Sequence, residues 1–146
     1  MITIGTGYAW NVIIAAGMGL QCTIAGINCG SVRSKFNVPH PDMGCGRFAA
    51  KLSDEDWATF NNVIRVHQNY VEQLPVAISA VLMSGLFYEK ASVTLGLAYV
   101  ASRIAYAYGY AKFGPKGRMV GAIGQYLSIV SMLSLCFYGS YKQLSN

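Results

Sequence analysis

The sequence predicts an all-α integral membrane protein, an antiparallel bundle of four transmembrane helices formed by one domain over residues 1–146. Hydrophobic residues make up 53% of the chain and charged residues only 12%, whereas a soluble domain usually carries about 25% charged residues. The mean hydropathy is +0.36. The apolar residues also form long uninterrupted blocks, which predicts helices that cross a bilayer rather than a water-soluble core.

Two of the predicted spans contain no charged residue. They cover residues 8–32, which is 25 positions, and residues 119–141, which is 23 positions. A helix rises 1.5 Å per residue and needs about 20 residues to cross the hydrocarbon core, so each block is long enough. The first block lacks the basic start and the small-residue cleavage site of a signal peptide. We therefore expect it to remain as a membrane helix.

The other two predicted helices cover about residues 54–88 and 91–111. Ser53 precedes three acidic residues, a pattern that is typical of an N-terminal cap with negative charge at the positive end of the helix dipole. Glu89-Lys90 is expected to form a very short turn, which makes these two helices antiparallel neighbours. The glycine- and proline-containing segment Lys112–Gly117 ends the third helix.

The net charge of +5 comes from basic residues that flank the apolar blocks, which favours contact with anionic lipid over nucleic acid. Two connections on one side of the membrane carry seven basic residues, and the other side carries only Lys90 and Lys142. The positive-inside rule therefore places the basic connections in the cytosol and both termini on the lumenal or external side. The seven basic residues are Arg33, Lys35, Arg47, Lys51, Lys112, Lys116 and Arg118.

The four cysteines show neither a CxxC motif nor metal-ligand spacing, so we predict no disulfide framework and no metal site. Polar residues instead form two stripes inside the apolar helices, where a charged side chain costs roughly 2.5–3.5 kcal/mol and persists only with a partner or a task. Helical periodicity puts each stripe on one helix face. The stripes are Arg65, Asn69 and Glu72 on helix two, and Arg103, Tyr106 and Tyr110 on helix three.

The antiparallel arrangement brings Arg65 and Arg103 near the same membrane face as Arg33 and Arg118. A polar cavity at this boundary would suit a small, flexible ligand with several negative charges and an amine. Arginines would bind its carboxylates, and Glu72 would bind its ammonium group. The alternative is a purely architectural set of interhelical ion pairs, such as Glu72 with Arg65 or Arg103.

These residues resemble motifs of the MAPEG superfamily, most closely its microsomal glutathione S-transferase type-3 branch. The segment Arg65–Pro75 resembles the R-x-H-Q-N-x-x-E-x-x-P motif, and Arg103–Tyr110 resembles R-x-x-Y-x-x-G-Y. Phe36–Pro41 is similar to the loop after the first helix. The resemblance covers nearly the whole chain and implies a homotrimer that holds glutathione between neighbouring subunits.

The resemblance also implies a function and a set of site residues. The activity implied is that of a glutathione transferase or peroxidase, including one like leukotriene C4 synthase, acting on lipophilic electrophiles or lipid hydroperoxides. The membrane implied is that of the endoplasmic reticulum, with a mitochondrial membrane as the alternative. Arg118 falls at the catalytic position that stabilises the glutathione thiolate. The positions that match glutathione-binding residues are Arg33, Arg65, Asn69, Glu72, Arg103, Tyr106 and Tyr110.

Several departures from the family pattern keep a second interpretation open. Ser34 stands where relatives carry a second basic residue, Gly117 where a lysine is common, and Gln73 where an aromatic or aliphatic residue is usual. The first two of these differences, at Ser34 and Gly117, favour a non-catalytic accessory or structural subunit of a larger membrane complex. A channel or transporter is disfavoured because the first and fourth helices offer no charged path through the membrane.

Overall fold

The computed structural model describes residues 5–145, which form four long helices and, over that range, no strand. The helices are α1 Ala9–Phe36, α2 Asp54–Gly85, α3 Glu89–Gly117 and α4 Met119–Leu144, with single 3₁₀ turns at Thr6–Tyr8 and Ala49–Lys51. Each helix packs against the next along the chain, and α2 also contacts α4 while α1 contacts α3. The prediction of an all-α four-helix bundle is confirmed.

α1 and α4 are long and apolar enough to cross a membrane. Only 28% of the most apolar stretch of each is buried within the protein, so their apolar side chains mostly face outward. An outward apolar surface of this extent is typical of lipid contact and not of the core helix of a soluble protein. α2 and α3 are less apolar because they carry the two polar stripes.

The ends of α1 and α2 follow local capping rules. α1 extends to Phe36, beyond the predicted end at residue 32, and stops where Asn37 adopts a left-handed conformation with φ of 53°. Asparagine tolerates that conformation better than most residues. At the start of α2, the Ser53 hydroxyl accepts a hydrogen bond from the Asp56 amide at 3.2 Å, which confirms the predicted N-terminal cap.

The predicted connections on either side of α3 were placed slightly wrongly. Glu89 and Lys90 form the first turn of α3 rather than a turn between helices, and the reversal lies at residues 86–88. At its other end α3 continues past the predicted stop at residue 111 to Gly114, where φ of 67° and ψ of −157° interrupt the helix before Pro115. Glycine permits this positive φ at little cost.

The chain folds back sharply after this break. A Cβ atom on Gly109 would collide with the Gly117 carbonyl oxygen, and one on Gly117 would collide with the Gly109 carbonyl oxygen. The two backbones therefore meet at a distance that only glycine allows. This contact fixes the start of α4 and with it the position of Arg118.

A single aspartate organises the connection between α1 and α2. The Asp42 carboxylate accepts four backbone N–H bonds, each 2.9 Å long, from Gly44, Gly46, Phe48 and Ala49. The bond from Ala49, aided by the other three and opposed by burial, lowers the pKa of Asp42 to about 2. Trp57 on α2 anchors the segment by donating to the Gly44 carbonyl at 2.7 Å.

Candidate functional site

Arg103 lies at the centre of a polar cluster inside the helical bundle. Its side chain is 2% exposed. One terminal nitrogen, Nη1, donates to Asn69 Oδ1 on α2 and to Gln125 Oε1 on α4, each at 2.7 Å. The other, Nη2, donates to the Val66 carbonyl at 3.1 Å. The guanidinium therefore ties three helices together at one point.

Two aromatic rings complete the surroundings of this guanidinium. Its carbon lies 4.1 Å from the centroid of Tyr70 and 4.7 Å from that of Tyr106. Both distances are within the range of cation–π attraction. The groups that hold Arg103 are thus two amides, one peptide carbonyl and two aromatic rings, all of them uncharged.

Arg118 lies between α3 and α4, beside the tyrosines of the α3 stripe. Its Nη1 donates to the Tyr106 hydroxyl at 3.2 Å, and its guanidinium lies 5.6 Å from the Tyr110 ring. The hydrogen bond with Tyr106 raises the pKa of Arg118 above its ordinary value. The two rings are themselves in contact, with centroids 5.6 Å apart. Arg118 is therefore a permanently charged donor held against an aromatic wall.

A cavity of about 410 Å³ opens beside Arg118, and we call it the Arg118 cavity. Its polar lining comes from five residues: Asn69, Tyr106, Arg118, Gln125 and Tyr126. Its remaining lining is Met119, Ala122, Ile123 and Leu127. The lining thus combines hydrogen-bonding groups with apolar side chains from the first turns of α4, which suits a polar molecule beside a lipophilic one.

Five of the predicted site residues come together around this cavity and the Arg103 cluster. They are Asn69, Arg103, Tyr106, Tyr110 and Arg118. Arg65 and Glu72 instead lie exposed on the outer surface of α2, and Arg65 donates to Gln68 Oε1 at 3.2 Å. These two side chains stand apart from the central cluster.

Arg33 also lies outside the cluster. It is buried, and its Nη1 donates to the carbonyls of Asp42 at 2.6 Å and Val38 at 3.2 Å. Its guanidinium lies 5.7 Å from the Phe60 ring. Arg33 thus holds the α1–α2 connection against α2.

Gln125 is the residue that the sequence analysis missed. It is fully buried on α4, a helix whose sequence is notable mainly for its lack of charge. A carboxamide in an otherwise apolar span was the available signal, because such groups commonly pair between membrane helices.

A second space lies on the opposite side of Arg103, between α1, α2 and α3. This groove has a volume of about 670 Å³ and a mainly apolar lining. Tyr70 crosses its inner end by donating to Gln21 Oε1 at 2.6 Å. Arg103 therefore stands between two spaces, one on each side of the bundle.

The fold and the site define a membrane-embedded four-helix protein with an arginine–tyrosine–amide cluster at its centre. The MAPEG family model matches residues 11–138, and the chain belongs to the MAPEG family. It is 29% identical over 144 residues to an uncharacterized protein of Synechocystis, covering 96% of both chains. It is also 29% identical over 113 residues to microsomal glutathione S-transferase 2 of Bos taurus, covering 74% of this chain and 70% of that protein.

Proposed function

We propose that this protein is a membrane-bound glutathione transferase and peroxidase that activates the glutathione thiol for attack on lipophilic electrophiles or lipid hydroperoxides. The observation that carries the proposal is Arg118, a cation hydrogen-bonded to Tyr106 that lines a cavity together with other polar and apolar side chains. Membership of the MAPEG family and the similarity to a glutathione S-transferase support it.

The chemistry follows from the charge of Arg118. A free thiol has a pKa near 8.5, and the thiolate is the reactive form. A guanidinium beside the sulfur stabilises the anion and so lowers the pKa of the thiol. In transfer by substitution, the sulfur forms a bond to the electrophilic carbon while that carbon's leaving group departs. In transfer by addition, no group leaves and the product takes up a proton. In peroxide reduction, two glutathione molecules form a disulfide, and the hydroperoxide becomes an alcohol and water.

Recognition of the rest of glutathione involves the surface of α2. Arg65 and Glu72 lie on the same helical stripe as Asn69 and are exposed, so they are accessible to a ligand that lies between protomers. Arg65 would bind a glutathione carboxylate and Glu72 its ammonium group. We therefore include in the proposal a homotrimer in which a neighbouring subunit closes the site. Native mass spectrometry in detergent would test it, and a uniform monomer or dimer would contradict it.

The proposed setting is the endoplasmic reticulum membrane, with the basic connections in the cytosol and both termini in the lumen. In that orientation the Arg118 cavity opens near the cytosolic face, where glutathione is supplied. The lipophilic substrate would approach through the bilayer along the apolar surface of α4.

A non-catalytic role as an accessory subunit of a larger membrane complex is the second candidate. It is favoured by Ser34, which replaces a basic residue, and by Arg33, whose donors are engaged by loop carbonyls. Gly117 does not favour it, since a side chain there would collide with Gly109 in this fold. The replacement of a lysine at that position thus has a packing explanation.

Calorimetric titration with glutathione tests the proposal. The unmodified protein is expected to bind, and Tyr106→Phe to bind more weakly because the cavity loses the Tyr106 hydroxyl as a hydrogen-bonding partner for the ligand. Tyr138→Phe is the matched control, since that ring stacks on Tyr88 away from the cavity. Equal affinities for all three proteins would contradict the assigned site, and absence of binding to the unmodified protein would favour the accessory role.

A further inference from the structure

Within residues 5–145 the hydrogen bonds of Arg103 go only to uncharged groups, so no carboxylate neutralises its positive charge. Its Nη1 atom donates hydrogen bonds to the amide oxygens of Asn69 and Gln125. Its Nη2 atom donates to a peptide carbonyl. These groups and the two aromatic rings solvate the cation without carrying negative charge. A buried arginine in a membrane helix is costly and is usually retained for a partner or a task.

The orientation of the Gln125 amide follows from this contact. Arginine has donors and no acceptor, so the amide must turn its oxygen towards Arg103 and its nitrogen away. Gln125 Nε2 meets no acceptor within residues 5–145, and the residue borders the Arg118 cavity together with Asn69. Asn69 is oriented in the same way, with its oxygen on Arg103.

The polar groups that line the Arg118 cavity consequently offer donors more than free acceptors, and the Gln125 nitrogen lies buried behind them. Two amides have their oxygens occupied by Arg103, Arg118 has no acceptor, and the Tyr106 oxygen already accepts from Arg118. A single side-chain amide lies between these donor groups and the positive charge of Arg103. An anionic group entering the cavity would meet donors and a positive potential together.

We infer that Gln125 is a positioning residue for anion recognition: its amide oxygen holds the Arg103 guanidinium in place without neutralising it, so that the charge acts on a carboxylate in the Arg118 cavity. A glutamate would have the same shape as glutamine but would form an ion pair with Arg103. The choice of amide over carboxylate therefore determines that the site takes an acidic thiol. The inference rests on the proposed function, because it concerns the ligand of the same cavity.

Binding of glutathione and of its diester, which lacks both carboxylates but keeps the ammonium group, tests the inference in purified protein. The unmodified protein is expected to prefer glutathione. Gln125→Glu should bind glutathione at least about tenfold more weakly while binding the diester at least as well, because a new negative charge repels the carboxylates that only glutathione carries. Gln125→Met removes the acceptor but adds no charge, so it should weaken binding yet keep the preference for glutathione. A Gln125→Glu protein that retains the original preference would overturn the inference.

A measurement without ligand separates this inference from the proposed function. Gln125→Glu should raise the thermal midpoint in detergent, because its carboxylate supplies the negative charge that Arg103 lacks. A midpoint equal to or below that of the unmodified protein would show that Arg103 is already compensated and would overturn the inference. Absence of glutathione binding to the unmodified protein would count against the proposed function instead, and the midpoint comparison would still judge the role of Gln125.

Discussion

Replacing Arg118 by alanine removes the charge that the proposed mechanism places beside the thiol. Two unit charges 4 Å apart interact by about 1 kcal/mol in water and by about 4 kcal/mol at an effective dielectric constant near 20. Arg118 is half-buried at the edge of the bundle, so we take the lower part of this range, about 1.4–2 kcal/mol. At about 1.4 kcal/mol per tenfold, the pKa of bound glutathione should rise by about one to one and a half units.

The expected assay result is a slower conjugation rate near neutral pH, by about ten- to thirtyfold, measured with saturating glutathione and an aryl chloride electrophile. The defect should shrink as pH rises towards the ordinary thiol pKa near 8.5, where the thiolate forms without assistance. Arg118→Lys should restore part of the rate because it restores the charge. A normal rate with a normal pH profile in Arg118→Ala would refute the reasoning, since another group would then activate the sulfur.

Three further changes test the packing that supports this site. Arg103→Met should weaken glutathione binding by roughly 2–5 kcal/mol in calorimetry, since two buried amide oxygens lose their charged donor. Gly121→Leu should lower stability by about 1–3 kcal/mol in thermal unfolding because a side chain there collides with the α3 backbone, whereas Gly17→Leu, which meets no atom within 4 Å, should change little. Asp42→Asn should lower the thermal midpoint near neutral pH. The folded pKa of Asp42 is about 2 and its unfolded pKa about 3.9. The loss of thermal midpoint in Asp42→Asn should therefore be complete above pH about 4 and fade as pH falls to about 2. Unchanged midpoints for Asp42→Asn or Gly121→Leu would contradict the packing.

The part of the site that helical periodicity governs could be predicted from the sequence. Asn69 and Arg103 belong to stripes on adjacent antiparallel helices, and they form a direct hydrogen bond of 2.7 Å. Ser53 was predicted to cap α2, and it does. Both inferences depend only on spacing along one helix and on the order of neighbouring helices, which a sequence displays directly.

The part that depends on close three-dimensional approach could not be predicted. The role of Gln125 follows from the depth at which α4 crosses α3, and the hydrogen bonds of Asp42 follow from a turn with no regular period. Arg33 was predicted to line the site because it ends the first helix near the basic face. From the same position Arg33 also reaches the carbonyls of the following segment. Only the path of that segment decides whether Arg33 lines the site or binds these carbonyls.

The measurement that tests the central claim most directly is the ultraviolet absorbance of the glutathione thiolate, recorded as glutathione is titrated into purified protein near neutral pH. The account predicts a saturable thiolate signal whose apparent pKa lies below the free value near 8.5. The same titration of Arg118→Ala should saturate at a similar concentration but give less thiolate at that pH. Saturable binding without any thiolate in the unmodified protein would contradict the claim that Arg118 activates the sulfur.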